Sequence, residues 1–226
     1  MLRTDPARVK AILAGLARAY PDAECALTHR NAWELLVATI LSAQCTDVRV
    51  NLVTPALFKQ HPTPAATAKL TPEQLEPLIR STGFYHNKAK SVTGAARRIV
   101  AEYAGQVPDS MDALLTLPGV ARKTANVVLG VWFHQAAGVV VDTHVQRVSQ
   151  RLELTKNEQP EKIEQDLQRL LPRDQWIVFS HRVIAHGRQC CTARSPKCAA
   201  CPVETLCHSP DKTFSSHPAP RQRKPR

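Results

Sequence analysis

Apolar residues recur at helical rather than strand spacing along most of the chain. In TDPARVKAILAGLARAYP, Val9, Ile12, Leu13 and Leu16 fall on one helical face, with Asp5 as a cap and Pro6 at the first helical position. NAWELLVATILSAQ and TDVRVNLVTPALFKQH follow, the second opened by Thr46. TPEQLEPLIRS predicts a capping box, Thr71 with Gln74 three residues on, and places Pro72 where a helix tolerates proline. HNKAKSVTGAARRIVAEYAG predicts a helix closed by Gly105. LLTLPGVARKTANVVLGVWF reads as the end of one helix, a Pro-Gly turn and the start of another. Its second helix has Ala125, Val128, Leu129 and Trp132 as a core face, with Lys123 and Asn126 off it. DTHVQRVSQRLEL, PEKIEQDLQRLLP and DQWIVFSHRVIAHGRQC complete the helical set. Val139 to Val141 is the one strand-like run, too isolated for a sheet, so an all-α protein follows.

Composition narrows the class. A chain of 226 residues suffices for one domain or two small ones, each with a core of its own. No apolar run approaches the roughly 18 residues of a membrane span, and MLRTDPARVK lacks a signal-peptide core, so a cytoplasmic protein with no membrane partner is expected. Lys and Arg number 30 against 19 Asp and Glu, a net +11. From Asp211 onward five cations against one acid account for +4, which leaves +7 on the preceding residues. The folded part is therefore basic in its own right, and a polyanion such as nucleic acid is the leading partner; the other reading is a merely soluble basic surface. The segment 210–226, rich in Pro, Ser and Arg, reads as a disordered basic tail.

Five of the seven cysteines crowd near the end of the chain, which argues against a disulfide framework and for a metal site. Cys191, Cys198, Cys201 and Cys207 follow C-x6-C-x2-C-x5-C, and four soft thiolates so close in sequence suit zinc or an iron-sulfur cluster. The spacing leans towards iron, because only Cys198 and Cys201 form the short pair that structural zinc sites use twice. Cys190 falls outside the pattern. The loop TARSPK, tied at both ends, carries Arg194 and Lys197, either as phosphate contacts or as a solvated basic loop.

The turn LPGVA, with Gly119 and Ala121, leads into a helix whose first amides face outward, a ready anion site reinforced by Arg122. Lys123 stands at the positive end of the same helix dipole, where its charged form is disfavoured and a nucleophilic amine becomes more accessible, although most lysines at helix starts are inert. Asp142, at the start of DTHVQRV, is a helix cap that can also face a cleft as proton acceptor or charge stabiliser.

Together these segments resemble the endonuclease III family of DNA glycosylases. LPGVARKTANVVLG is similar to its helix-hairpin-helix signature, VVDTHVQRV to its aspartate segment, the four-cysteine pattern to its [4Fe-4S] site, and LLVATILSAQCTDVRVN and STGFYHNKAKSV to further family segments, over about residues 5 to 209. The resemblance implies two helical domains flanking a DNA-binding cleft: a six-helix domain over 25–135, with the helix-hairpin-helix at about 110–133, and an iron-sulfur domain from 1–24 plus 136–209. It implies a monomer acting on double-stranded DNA with damaged bases or abasic sites, nucleoid-associated through that binding. The implied activity is a bifunctional glycosylase and lyase of base excision repair, removing oxidised pyrimidines, with Lys123 as the catalytic lysine and Asp142 as the catalytic aspartate. Gln44, Phe84 and His144 would fill the space left by an extruded base. Phe84 departs from the leucine common in the family; Ala121 departs from a second glycine, at a cost on the order of 1 kcal/mol if the site needs positive φ. The alternatives are a monofunctional mismatch or pyrimidine-dimer glycosylase of the same superfamily, or a noncatalytic DNA-binding protein with a redox-sensing cluster. Mismatch glycosylases of this fold lack a lysine at the position of Lys123.

Overall fold

The computed structural model describes residues 4–213. Eleven α-helices lie among the described residues: α1 (Pro6–Ala19), α2 (Ala32–Leu41), α3 (Asp47–Gln60), α4 (Pro64–Ala68), α5 (Pro72–Ile79), α6 (Tyr85–Glu102), α7 (Met111–Leu115), α8 (Arg122–Val131), α9 (Thr143–Arg151), α10 (Pro160–Leu170) and α11 (Trp176–Gln189). No strand occurs among the described residues, and no described helix is long and apolar enough to cross a membrane. The caps explain several helix starts. Asp5 accepts from the Arg8 amide and Thr46 from that of Arg49, while Thr71 and Gln74 form the reciprocal box.

The contacts divide the chain into two compact units. One is continuous, residues 25–137, and holds α2 to α8. Its centre is α2, buried from Trp33 through Leu41 because apolar residues cover it all round, and α3, α6 and α8 pack on it. In α6, Ala89, Val92, Ala96 and Ile99 make a buried stripe of mostly small residues, which lets α4 and α5 approach closely.

The second unit joins residues 4–24 to 138–213. Its core comes from α1, α9, α10 and α11, through Ile12, Leu16, Val145, Val148, Ile163, Leu167, Phe179 and Val183. The first described helix is latched to the segment that follows α11. Arg8 donates to the Leu206 carbonyl at 2.6 and 3.0 Å and to that of Leu152 at 2.9 Å. A Cβ on Gly15 would meet Val203 Cγ1 at 2.8 Å, so α1 lies against this segment as only glycine permits.

The expectation of a disordered tail from residue 210 does not hold for its first residues. Asp211 pairs with Arg151 at 2.6 Å, and Lys212 pairs with Glu204 at 2.6 Å with both side chains at least nine-tenths covered. Partners supplied from elsewhere in the fold override a locally polar, proline-bearing composition. The rest of that segment, from residue 214, lies outside the described residues.

Candidate active site and cysteine centre

In the continuous unit, α7 and α8 are joined by a turn that buries Leu117 and Val120. Gly119 has φ +77, and a Cβ there would fall 2.5 Å from Ser91 Cβ on α6. Both facts require glycine. Next door, Pro118 lies over Gly94 of α6, where a Cβ would stand 3.1 Å from the proline ring.

Ala121 is the N-cap of α8 in extended backbone, φ −96 and ψ 172. The penalty foreseen for alanine therefore does not arise, since the residue never enters the left-handed region. An alanine offers no capping oxygen, so the first turn of α8 has no side-chain cap. Arg122 and Lys123 are exposed on that turn. Two expectations for α8 are corrected. Asn126 is buried at 3% exposure because α2 and α7 cover a wider sector of the helix than the apolar periodicity marks, and Trp132 is 37% exposed because the helix ends at Val131, before it.

Gln44 and Phe84 occupy the turns after α2 and before α6. Both adopt left-handed backbone, φ 52 and φ 47, at roughly 1–2 kcal/mol each for residues with a side chain. Phe84 is 63% exposed and so lies outside the core. Gln44, Phe84 and Gly119 meet at one open pocket of ≈ 240 Å³, which Lys88 and Ser91 also line.

Lys123 belongs to this unit and Asp142 to the other. Asp142 caps α9: its Oδ1 accepts from the amides of His144 and Val145 at 2.9 and 2.8 Å, and Oδ2 lies 3.0 Å from His144 Nδ1. Capping holds one carboxylate oxygen in place and sets the imidazole on the other. The His144 ring also packs over Gly187 of α11, where an added Cβ would stand 3.1 Å from the ring's Cδ2.

Cys191, Cys198, Cys201 and Cys207 line a single cavity in the second unit. Burial pushes the Cys201 thiol up to about 12 and raises that of Cys207 as well. Left to themselves these thiols stay protonated at neutral pH, and a cationic centre is what converts such groups into thiolates. The surroundings fit that demand. Arg151 donates to Cys191 Sγ at 3.3 Å and to the Thr192 and Ala193 carbonyls, pinning the chain next to the first ligand. Lys212 donates to the Cys207 carbonyl at 2.9 Å beside the last. The four-thiol, cation-flanked pocket suits an iron-sulfur cluster.

One ring nitrogen of His186 lies within 4.8 Å of the sulfurs of Cys190 and Cys201, a closer grouping than the cysteine spacing alone suggests. His186 is held at 3.0 Å by the Tyr20 hydroxyl, and burial lowers its pKa to about 4, which keeps the imidazole neutral beside the thiols. Cys190 itself bonds to the Lys197 carbonyl at 3.5 Å and is spent on closing the loop that presents Arg194 and Lys197, both exposed.

Sequence reasoning passed over Lys88, Arg151, His186 and Lys212. Lys88 carries a weak signal, being a cation among Phe84, Tyr85 and Val92 on one helical stripe; Lys212 carries none, because its partner lies in a separate turn.

The chain matches the family model of HhH-GPD superfamily base excision DNA repair proteins over residues 37–173, and the iron-sulfur binding domain of endonuclease III over residues 191–207. It is 55% identical to endonuclease III of Synechocystis sp. over 202 residues, 89% of this chain and 92% of the relative. With endonuclease III of Bacillus subtilis it shares 45% over 194 residues, 85% of this chain and 88% of that one. A solved structure of a trapped endonuclease III–DNA covalent intermediate superposes with a TM-score of 0.86 at 43% identity, covering 92% of this chain and 96% of that chain.

Proposed function

The chain belongs to the endonuclease III family of base excision DNA repair proteins, and we propose that it is a bifunctional glycosylase and lyase that removes oxidised pyrimidines from double-stranded DNA. The observation that carries this reading is an exposed lysine on the first turn of α8, directly after a glycine-dependent hairpin. The damaged base is rotated out of the stack, because the glycosidic carbon is shielded within the duplex. Lys123 Nζ then bonds to that carbon as the glycosidic bond breaks and the base leaves with the electron pair. Opening of the sugar ring gives an imine. Loss of the adjacent sugar proton expels the 3′ phosphate, which cuts the strand by β-elimination.

Asp142 takes up the proton the amine sheds and stabilises the positive charge that builds on the sugar. Arg122 and the uncapped amides of α8 grip the DNA backbone, with Gly119 and Ala121 letting it approach, and Arg194 and Lys197 add phosphate contacts. Gln44, Phe84 and His144 fill the space the base vacates; an aromatic at 84 covers more of the orphaned partner than an aliphatic wedge. When bound, the 4Fe-4S cluster cross-links residues 191 to 207 and so shapes the loop bearing Arg194 and Lys197. Support for covalent chemistry comes from the relative at 43% identity, which has been captured bonded to DNA.

Borohydride trapping on duplex DNA bearing thymine glycol or an abasic site tests the reading. A covalent adduct is expected, and it is lost in Lys123→Gln. Tight binding of damaged DNA with no adduct overturns it in favour of a monofunctional or noncatalytic protein.

A further inference from the structure

Lys88 is the one lysine of α6 whose side chain is buried, 5% exposed. Its ammonium donates to two backbone carbonyls, Leu41 at 2.8 Å and Thr82 at 2.8 Å. Leu41 is the last residue of α2 and stands three residues before Gln44; Thr82 stands two residues before Phe84. Two 2.8 Å bonds to one nitrogen hold these oxygens within about 5.6 Å of each other. Thr82 is itself fixed, buried at 2% exposure with its hydroxyl on the Ile79 carbonyl at 2.8 Å. Beyond the two tie points the chain has little slack, since each residue spans at most about 3.5 Å.

We infer that Lys88 is a positioning residue that couples the Gln44 turn to the Phe84 turn, so that both side chains enter the vacated space of the duplex as one unit. The inference rests on the glycosylase reading and adds a residue to it. The energetic logic is local. Leu41 presents a carbonyl at the negative end of α2, and Thr82 presents another from a tight turn; without a cation between them two buried acceptors face one another. Burial lowers the pKa of Lys88, in keeping with an ammonium held by dipoles instead of a carboxylate. Gln44 and Phe84 are both in left-handed backbone, a conformation that persists only where the surroundings impose it, and Lys88 hydrogen-bonds both flanking segments. Lys88 also lines the pocket at which the two residues meet, so the tie lies directly beneath them.

The test uses the full chain with its cluster, and Lys88→Met, which keeps the length and removes the donors. Single-turnover excision at saturating protein is measured on duplex DNA with thymine glycol, together with the fluorescence of 2-aminopurine placed opposite the lesion. The expected result is a rate about 10- to 100-fold lower, the scale of a small misplacement remote from the chemistry, with a diminished 2-aminopurine signal and unchanged binding to undamaged duplex. In a Gln44→Ala/Phe84→Ala background Lys88→Met is expected to have almost no further effect, because the residues it positions are gone. A full wild-type rate in Lys88→Met, or a loss of equal factor in that background, overturns the inference and leaves a general structural role. If Lys88→Met does not fold, the same cycle is run with Lys88→Gln, whose amide retains donors without the charge, against the same two outcomes. Wild-type protein that excises no base and traps no adduct refutes the glycosylase reading instead, so the two failures are distinct.

Discussion

Gly119→Ala separates two demands that the hairpin places on one position. The first is conformational: at φ +77 an alanine costs about 1–2 kcal/mol. The second is steric. The new methyl would lie 2.5 Å from Ser91 Cβ, 2.7 Å from its Oγ and 3.6 Å from its Cα, so relief requires moving α6 itself, an overpacking that typically costs about 1–3 kcal/mol. Together they predict a loss of roughly 2–5 kcal/mol, or a fall in melting temperature on the order of 5–20 °C for a chain of this size. Gly105 provides the control, because it shares φ +77 and a Cβ added there meets nothing within 4 Å. Gly105→Ala is expected to show the conformational cost alone, about 1–2 kcal/mol. Urea and thermal unfolding by circular dichroism, at matched iron content, give both values. Equal losses for the two variants would refute the steric half of the argument, and an unchanged Gly119→Ala would refute both halves.

Two other predictions concern the second unit. Lys212→Met strands the Glu204 carboxylate in a largely covered site, and a loss of about 3–5 kcal/mol in urea unfolding is expected; Glu204→Met/Lys212→Met should recover much of it, and an undiminished loss in the double variant would count against the buried-pair reading. Burial lowers the pKa of His181, with Glu24 opposing the shift, so the folded state binds its proton more weakly than the unfolded chain does. Stability from this group is therefore complete above the ordinary histidine value of 6.5 and is lost as pH falls through that value towards the lower folded one. Melting temperature between pH 8 and pH 5 should decline less steeply in His181→Asn than in the parent, and parallel profiles would exclude the residue as a source.

What was legible in the sequence is what neighbouring residues determine among themselves. The caps at Asp5, Thr46 and Thr71 lie within three residues of the amides they satisfy, and the hairpin is announced by its own proline and glycine. The cysteine pattern was readable for the same reason, all four ligands falling within 17 residues. The errors have a common source in distant partners. Asn126 is off the apolar face of its own helix yet buried, because other helices cover it. Strain at Ala121 does not follow from its position in the turn, because its backbone angles depend on how the turn packs on α6, through Pro118 and Gly119. Lys88 carries only a weak local signal, because its two acceptors lie 47 and 6 residues away. Lys212, counted with the loose cations at the chain end, is held by a carboxylate eight residues back in a separate turn.

The latch between Arg8 and Leu206 spans 198 residues, and it sets an order of events during synthesis. Residues 25–137 form a continuous unit and can fold as soon as they leave the ribosome. The first helix, although it precedes that unit in the chain, docks only on residues that follow it: the helices α9 and α11 and, last, the segment from Pro202 to Leu206. It must wait while residues 25–137 are translated, and the segment that carries Cys201 and Leu206 is the last part of its binding surface to emerge. A cluster held by Cys191, Cys198, Cys201 and Cys207 can be completed only after that segment is made. A ribosome that stalls before Leu206 releases a chain whose first helix lacks the carbonyl that Arg8 binds.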